Sequence, residues 1–302
     1  MSPKGEDAMS RFGRKISCAC GGWLLALAFA AALDFPVWTP PASMYRAHRE
    51  KFLSKLPPNS VAILRSAPTR TFSNDTEYPY RQDSDFHYLT GFDEPDSVAV
   101  FRPNAPDGTR YFLYVRAHDA RREAYDGARP GPEGAVAEYG ADAAYPISDF
   151  LPSLSRYEAT TRSFSGHLSG VETVYLSDGG DAAWTDKVRG VMEPMRARDS
   201  GPSTVVDARE LIHEMRLVKD ADEITALKRA SEISARGHIQ AMKAAAPGHW
   251  EFEIQQALDG YCLANGAPRM AYPSIAGSGP NSVFLHWYKN NRQLQAGDLV
   301  LN

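Results

Sequence analysis

An excess of charge of either sign is missing from this sequence. Lys and Arg number 33 against 37 Asp and Glu, a net charge of −4, so no broad cationic surface is available to attract a polyanion. Nucleic acid is therefore set aside as a partner. Cysteine is scarce as well. Cys18, Cys20 and Cys262 are the full set, none stands near another Cys or a His at a zinc-like spacing, and a disulfide framework is not supported. Cys18 and Cys20 lie in an apolar leader, which leaves Cys262 as a single thiol that reads as a small apolar residue on a helix. Internal repeats and low-complexity segments are absent. Long apolar runs are also few. The one long uncharged stretch, residues 16–33, includes Gly21 and Gly22 and is at the short end for a membrane span.

That stretch has the layout of a secretory signal peptide. Arg11, Arg14 and Lys15 precede it, Ala30 and Ala32 supply the small residues a signal peptidase reads, and Asp34-Phe35-Pro36 ends the apolar pattern. Glu6 and Asp7 are unusual in such a leader, although a start at Met9 removes both. Residues 1–43 are thus read as a signal-like or extension segment. Two localisations stay open: export to the periplasm, or an upstream extension on a cytoplasmic chain.

The composition that is present, 43% apolar and 23% charged residues, is that of an ordinary globular protein, and 302 residues suit two domains. Residues 44–206 read as an α/β unit. A helical pattern over 44–56 is stopped by Pro57-Pro58. Short β-branched apolar runs at 60–64, 97–101, 111–115 and 171–176 predict strands, and 181–196 predicts a helix. The run 196–203, with Asp199, Ser200, Gly201 and Pro202, is the best loop signal before a second unit at 207–302. There Asp220 followed by Glu223 predicts an N-cap, with Ile224, Leu227, Ile233, Ile239 and Met242 as the apolar side of a long helix. Pro247-Gly248 ends it. Ile254, Ala257, Leu258, Tyr261 and Cys262 then give one buried face of a second helix, closed by Gly266. Strands are expected at 270–275, 282–288 and 298–301, with a Gly277-Ser278-Gly279 turn.

Short motifs add little chemistry. His213-Glu214 lacks the second histidine of a zinc helix, because position 217 is Leu, and Gly277-Ser278-Gly279 lacks the Lys-Ser/Thr of a phosphate loop. Asp83, Asp85, His87, Asp93, Glu94 and Asp96 form a dense cluster, read mainly as solvated or turn-forming residues in place of a metal site. His286, between Leu285 and Trp287, reads from local pattern as a core histidine with one hydrogen-bond partner.

Longer stretches carry more. Glu77-Tyr-Pro-Tyr-Arg-Gln-Asp-Ser-Asp85-Phe-His-Tyr-Leu-Thr-Gly91-Phe-Asp-Glu-Pro95 resembles the signature of the aminopeptidase P N-terminal domain. Ile212-His-Glu-Met-Arg-Leu-Val-Lys219 resembles the start of that family's catalytic domain. Ala271-Tyr-Pro-Ser-Ile-Ala-Gly277-Ser-Gly-Pro-Asn281-Ser-Val-Phe-Leu-His286, with Gly297-Asp-Leu-Val-Leu301, resembles its first hairpin and strand. The resemblance implies an α/β chain: a creatinase-like N-terminal domain followed by the first part of a pita-bread (α+β) metallopeptidase domain, usually in a homo-oligomer. It implies release of an N-terminal residue that precedes proline, with peptides carrying proline in second position as partners and a manganese pair as cofactor. Proline's missing N–H and fixed φ explain the need for a dedicated enzyme.

Residue by residue, the resemblance makes His286 the active-site histidine beside the substrate, hydrogen-bonding the peptide or its tetrahedral intermediate. Such a donor is worth about 2 to 4 kcal/mol. Tyr272 matches a tyrosine near the metal site and Asp75 an N-domain aspartate facing the pocket. Lys289 and Asn291 stand where acidic residues are common. In the family the first metal-binding aspartate follows the Gly-Asp-Leu-Val-Leu-x run at once and four more ligands lie downstream. None of the five is therefore expected within residues 1–302, and the chain alone is expected to hydrolyse nothing. An unpaired apolar edge at 299–301 is expected to favour aggregation. Two alternatives remain: a non-catalytic oligomerisation or peptide-binding module, or a dipeptidase of the prolidase type, against which Tyr78-Pro-Tyr-Arg-Gln82 weighs.

Overall fold

The computed structural model describes residues 38–302, so the leader, with Cys18 and Cys20, lies outside the described residues. The chain divides into two compact units, Pro40–Ile224 and a second that holds Thr225–Asn302. Among the described residues no helix is long and apolar enough to cross a membrane.

In the first unit, helix α1 (Ala42–Lys55) ends where Leu56 turns extended before Pro57, as a residue preceding proline must. Strand β1 (Ser60–Arg65) follows, then a hairpin of β2 (Thr71–Ser73) and β3 (Thr76–Glu77). Helix α2 (Ser84–Thr90) is capped by Asp83, whose carboxylate accepts from the Asp85 and Phe86 amides at 3.0 and 2.9 Å. It stops at Gly91, in the left-handed region at φ 66°. Strands β4 (Val98–Phe101) and β5 (Tyr111–Val115) lead through α3 (Ala120–Asp126) and α4 (Gly131–Ala137) to β6 (Ala143–Pro146). Helix α5 (Phe150–Leu154), a hairpin of β7 (Arg156–Glu158) and β8 (Ser163–Ser165), β9 (Thr173–Ser177), α6 (Ala182–Arg196), β10 (Thr204–Asp207) and α7 (Arg209–Leu217) complete it.

Six strands form one mixed sheet in the order β10-β9-β1-β4-β5-β6. The pairs β1–β4 and β4–β5 are antiparallel, and β1–β9, β9–β10 and β5–β6 are parallel. The central strands read as continuous apolar runs because both faces are covered. Ala62 and Leu64 of β1 pack with Phe52 of α1, Phe86 of α2 and Ile212 and Met215 of α7. Val61 and Ile63 pack with Trp184, Val188 and Met192 of α6 on the other side. Each fully buried side chain of this size contributes about 1.5 to 3 kcal/mol.

The main strands and helices expected here are present. Neither edge strand, β6 nor β10, is among the strands expected. The loop 196–203 leads into edge strand β10, and the compact unit closes at Ile224, beyond the Val206 boundary, because α7 packs on α1 and α2.

His167 is buried on the second face, with its Nε2 2.7 Å from the Tyr114 hydroxyl and its Nδ1 without a partner. Burial first, then the Arg102 charge, pushes its pKa down from 6.5 to about 4. A depressed histidine favours unfolding when protonated. The stability tied to it is full above pH 6.5 and declines as pH falls towards 4, by about 3 kcal/mol in total. His167→Phe is expected to flatten the pH dependence of denaturant midpoints over that window; an unchanged slope would refute this assignment.

Helix α8 (Ala221–Ala244) begins at the end of the first unit and continues into the second from Thr225, and the second unit also contains α9 (Glu251–Ala264), β11 (Gly277–Ser278) and β12 (Val300–Leu301). Asp220 and Glu223 cap α8 reciprocally, each carboxylate accepting the other's amide at 2.8 and 2.9 Å. Ile254, Leu258 and Cys262 of α9 are buried, as the spacing requires. The buried stripe of α8 is different from the one expected. Ile233, Gly237 and Ala241 face the core, whereas Ile224, Leu227, Ile239 and Met242 are exposed. Gly237 explains the choice of face: a Cβ there would meet Cys262 Sγ and Leu258 Cδ1 at 2.9 Å, so α9 approaches at its bare backbone.

Candidate active site

The strands expected at 270–275 and 282–288 do not form. Residues 270–276 are irregular, Gly277 and Ser278 pair with Leu301 and Val300, and 279–283 is a 3₁₀ turn. Pro273 and Pro280 lack the amide a ladder needs, and Ser278 gives its amide to a side chain instead.

That side chain is Glu251, the first residue of α9. Its Oε1 accepts from the Ser278 amide at 2.7 Å, the Ser278 hydroxyl at 2.8 Å and Asn281 Nδ2 at 3.0 Å. Its Oε2 accepts from the Trp287 indole at 2.9 Å and the Arg292 amide at 3.1 Å. The residue is fully buried. Burial raises the carboxyl's pKa, but the hydrogen bonds from Asn281, Trp287 and Ser278 outweigh it and hold the group down at about 2. The Glu251 amide in turn donates to the Arg292 carbonyl at 3.0 Å. Arg292 reaches the Ser278 hydroxyl at 2.8 Å and is ion-paired with Asp298, whose carboxyl it pulls below the usual range. Gly279, at φ 51°, fits here because a Cβ would lie 2.5 Å from Asp298 Oδ1.

The 277–292 segment carries His286, which is exposed at a turn and does not sit inside a core strand. The core-histidine reading is therefore corrected. Among the described residues His286 makes no hydrogen bond, and its ring meets Tyr288 at 5.8 Å. Tyr272 is 68% exposed in the same unit. Asp75 lies in the exposed turn of the β2–β3 hairpin, in the other unit. Lys289 lies over the Trp287 ring at 5.7 Å. Asn290 is buried, accepts from the Ala276 amide at 3.0 Å and donates to Gln255 and to the Ser274 carbonyl at 2.9 and 3.0 Å. A groove of about 710 Å³ along His249, Phe252, Glu253 and Gln256 includes neither His286 nor Tyr272. Glu251 was missed from sequence, and its only signal was an acidic residue just inside a helix start.

The acidic cluster of the first unit resolves into structural roles. Asp83 caps α2, and Asp96 takes a positive φ in a turn. Asp85 is buried and accepts from His213 Nε2 at 2.9 Å and from Arg216, which fastens α7 to α2. Asp85→Asn removes a charge from both bonds and is expected to cost about 2 kcal/mol, measured as a lower urea midpoint. A midpoint within error of wild type would rule out that role.

Among the described residues, His48, Asp220 and Glu223 form one group with metal-type atoms close together. These atoms are already engaged: His48 Nε2 is 2.8 Å from Asp220 Oδ2, and both carboxylates serve the α8 cap. In the second unit both oxygens of Glu251 face donors and Asp298 is held by Arg292. The described residues therefore do not fit a catalytic cation pair.

Residues 45–163 match the family model of the aminopeptidase P N-terminal domain, and 225–302 match that of the metallopeptidase family M24. The two in succession define a metallopeptidase-type chain: an aminopeptidase P N-terminal domain followed by the start of an M24 domain. The chain belongs to the aminopeptidase P family. It is 34% identical over 262 residues to the Xaa-Pro aminopeptidase of Escherichia coli K12, covering 85% of this chain and 57% of that protein. The structure of Pseudomonas aeruginosa aminopeptidase PepP aligns with a TM-score of 0.79 at 35% identity, over 86% of this chain and 57% of the other. Zinc-substituted E. coli aminopeptidase P, in complex with product, aligns at 0.78 and 34% identity, over 86% of this chain and 58% of that one. The chain thus spans somewhat more than half the length of these relatives.

Proposed function

We propose that the complete protein is a manganese-dependent Xaa-Pro aminopeptidase, acting as a homo-oligomer, and that residues 272–292 form part of its substrate site. The observation that carries this reading is an exposed histidine on a turn that is otherwise tightly held. His286 turns its ring to solvent while the chain around it is tied down by buried polar groups. A ring placed this way can donate to a peptide carbonyl, or to the oxyanion formed from it, with little reorganisation. Tyr272, exposed in the same unit, offers a second contact to the peptide through its hydroxyl. Asp75 is kept as a further candidate on the first unit's hairpin.

A divalent pair, when bound, supplies a hydroxide near neutral pH and polarises the scissile carbonyl. No described residue of this chain is assigned to holding it. The same reading makes the chain of residues 1–302 inert by itself towards Xaa-Pro peptides with manganese added, so measured turnover by it would overturn that part. Xaa-Pro dipeptides compared with longer Xaa-Pro peptides separate the two related activities. Aminopeptidase P action predicts cleavage of the longer peptides; cleavage restricted to dipeptides would favour the prolidase alternative.

A further inference from the structure

We infer that Glu251 is the positioning residue of the His286 turn, an inference that rests on the substrate role proposed for His286. Nothing His286 itself hydrogen-bonds among the described residues fixes its place, so its position must come from the chain on either side. Upstream, Ser278 and Asn281 donate to Glu251; downstream, Trp287 and Arg292 donate to the same carboxylate. Both stems of the turn are thereby tied to one point on α9, a helix itself anchored by Ile254 and Leu258 in the core. Trp287 is the residue next to His286, so the last anchored group before solvent adjoins the ring to be placed. The Arg292 contact with the Ser278 hydroxyl cross-links the two stems a second time.

Only a carboxylate suits this place. Three donors converge on one oxygen and two on the other, and an ionised carboxylate accepts at both. Glutamine would turn an NH₂ towards donors at one end. Aspartate keeps the charge but is one methylene shorter and cannot reach both stems from the same helix position. A fully buried carboxylate with five donors also explains why segment 277–292 is held without a regular sheet.

The test uses Glu251→Gln, Glu251→Asp and Trp287→Phe in the 302-residue chain, read by hydrogen-exchange NMR. In Glu251→Gln the Trp287 indole N–H and the Ser278 amide are expected to exchange about ten- to a hundredfold faster, the factor for losing a hydrogen bond to a buried charge. The Leu113 and Val115 amides of the first unit should keep wild-type protection. Glu251→Asp should fall between the two, restoring the charge but not the reach. If Glu251→Gln unfolds the second unit, Trp287→Phe carries the test. It removes the downstream donor that adjoins His286 and leaves the Arg292 amide on Glu251, so the His286 ring signal should sharpen while the Ser278 amide stays protected; an unchanged His286 signal would overturn the inference, as would wild-type exchange in a folded Glu251→Gln chain. A parallel assay of the complete protein on an Xaa-Pro tripeptide separates this inference from the role of His286. Faster exchange with a lowered kcat and a smaller change in KM supports both. Faster exchange with wild-type turnover would remove His286 as the group being placed, leaving Glu251 as a structural anchor only.

Discussion

Truncating Glu251 to alanine is expected to destabilise the second unit by about 4 kcal/mol, because the Ser278 amide, the Trp287 indole and the other donors lose their acceptor. A buried donor left unsatisfied costs about 1 to 3 kcal/mol, and at least two of the five have little access to water. Part of this stability is tied to pH. The carboxyl's pKa falls from 4.5 to about 2 on folding. A depressed carboxyl contributes fully above pH 4.5, and its contribution is lost as pH falls from there towards 2, about 3 kcal/mol over the window. His167 acts on the first unit in the higher window, between pH 6.5 and 4. Acid titration followed separately by Trp287 and Trp184 fluorescence should therefore show the Trp184 unit weakening first. Simultaneous loss of both signals in one step near pH 5 would contradict the two assignments.

His286→Ala in the complete protein should lower kcat on an Xaa-Pro tripeptide by about 10² to 10³, or roughly 3 to 4 kcal/mol of transition-state stabilisation. The size follows from removing one preorganised donor at a developing charge. KM should change less, because the interaction strengthens as the tetrahedral centre forms. The fold should be untouched, since the ring is exposed and carries no internal hydrogen bond among the described residues. A variant with wild-type kcat would remove His286 from the site, whereas a rise in KM alone would reassign it to ground-state binding.

Much of the first unit was legible in the residues themselves. Ser60–Leu64, Val98–Phe101 and Tyr111–Val115 are β-branched and aromatic runs between turn residues, and a strand buried on both faces has that appearance. The edge strands were not. Ala143–Pro146 and Thr204–Asp207 are short and incompletely buried, so their side chains carry little of the pattern that marks a central strand. In the second unit α9 announced itself through Ile254, Leu258 and Cys262, while α8 misled, because beyond Ile233 its buried stripe is made of the small Gly237 and Ala241, and Ile224, Leu227, Ile239 and Met242 face outward. The chain after Gly266 was read as strands on composition. There the winning principle is polar: Glu251 takes the donors that a ladder would have used.

The site was legible only in part. His286 could be singled out from its neighbours and from the resemblance of the surrounding stretch to aminopeptidase P. Its surroundings could not be read, because what holds the turn lies 35 residues upstream of Asn290 at Gln255 and 36 upstream of Trp287 at Glu251. Long-range hydrogen bonds leave no periodic trace in a sequence. Asp85 illustrates the converse. It stood in an apparent metal-like cluster, and its burial against His213 and Arg216, more than 120 positions away, assigns it to fastening α7 to α2.

The measurement that bears most directly on the function is hydrolysis of two tripeptides that differ only in the second residue, proline or alanine, by the complete protein with manganese and again after exhaustive chelation. The account predicts release of the first residue from the proline peptide alone, lost on chelation and restored by the metal. Equal cleavage of both peptides, or cleavage that survives the chelator, would contradict it.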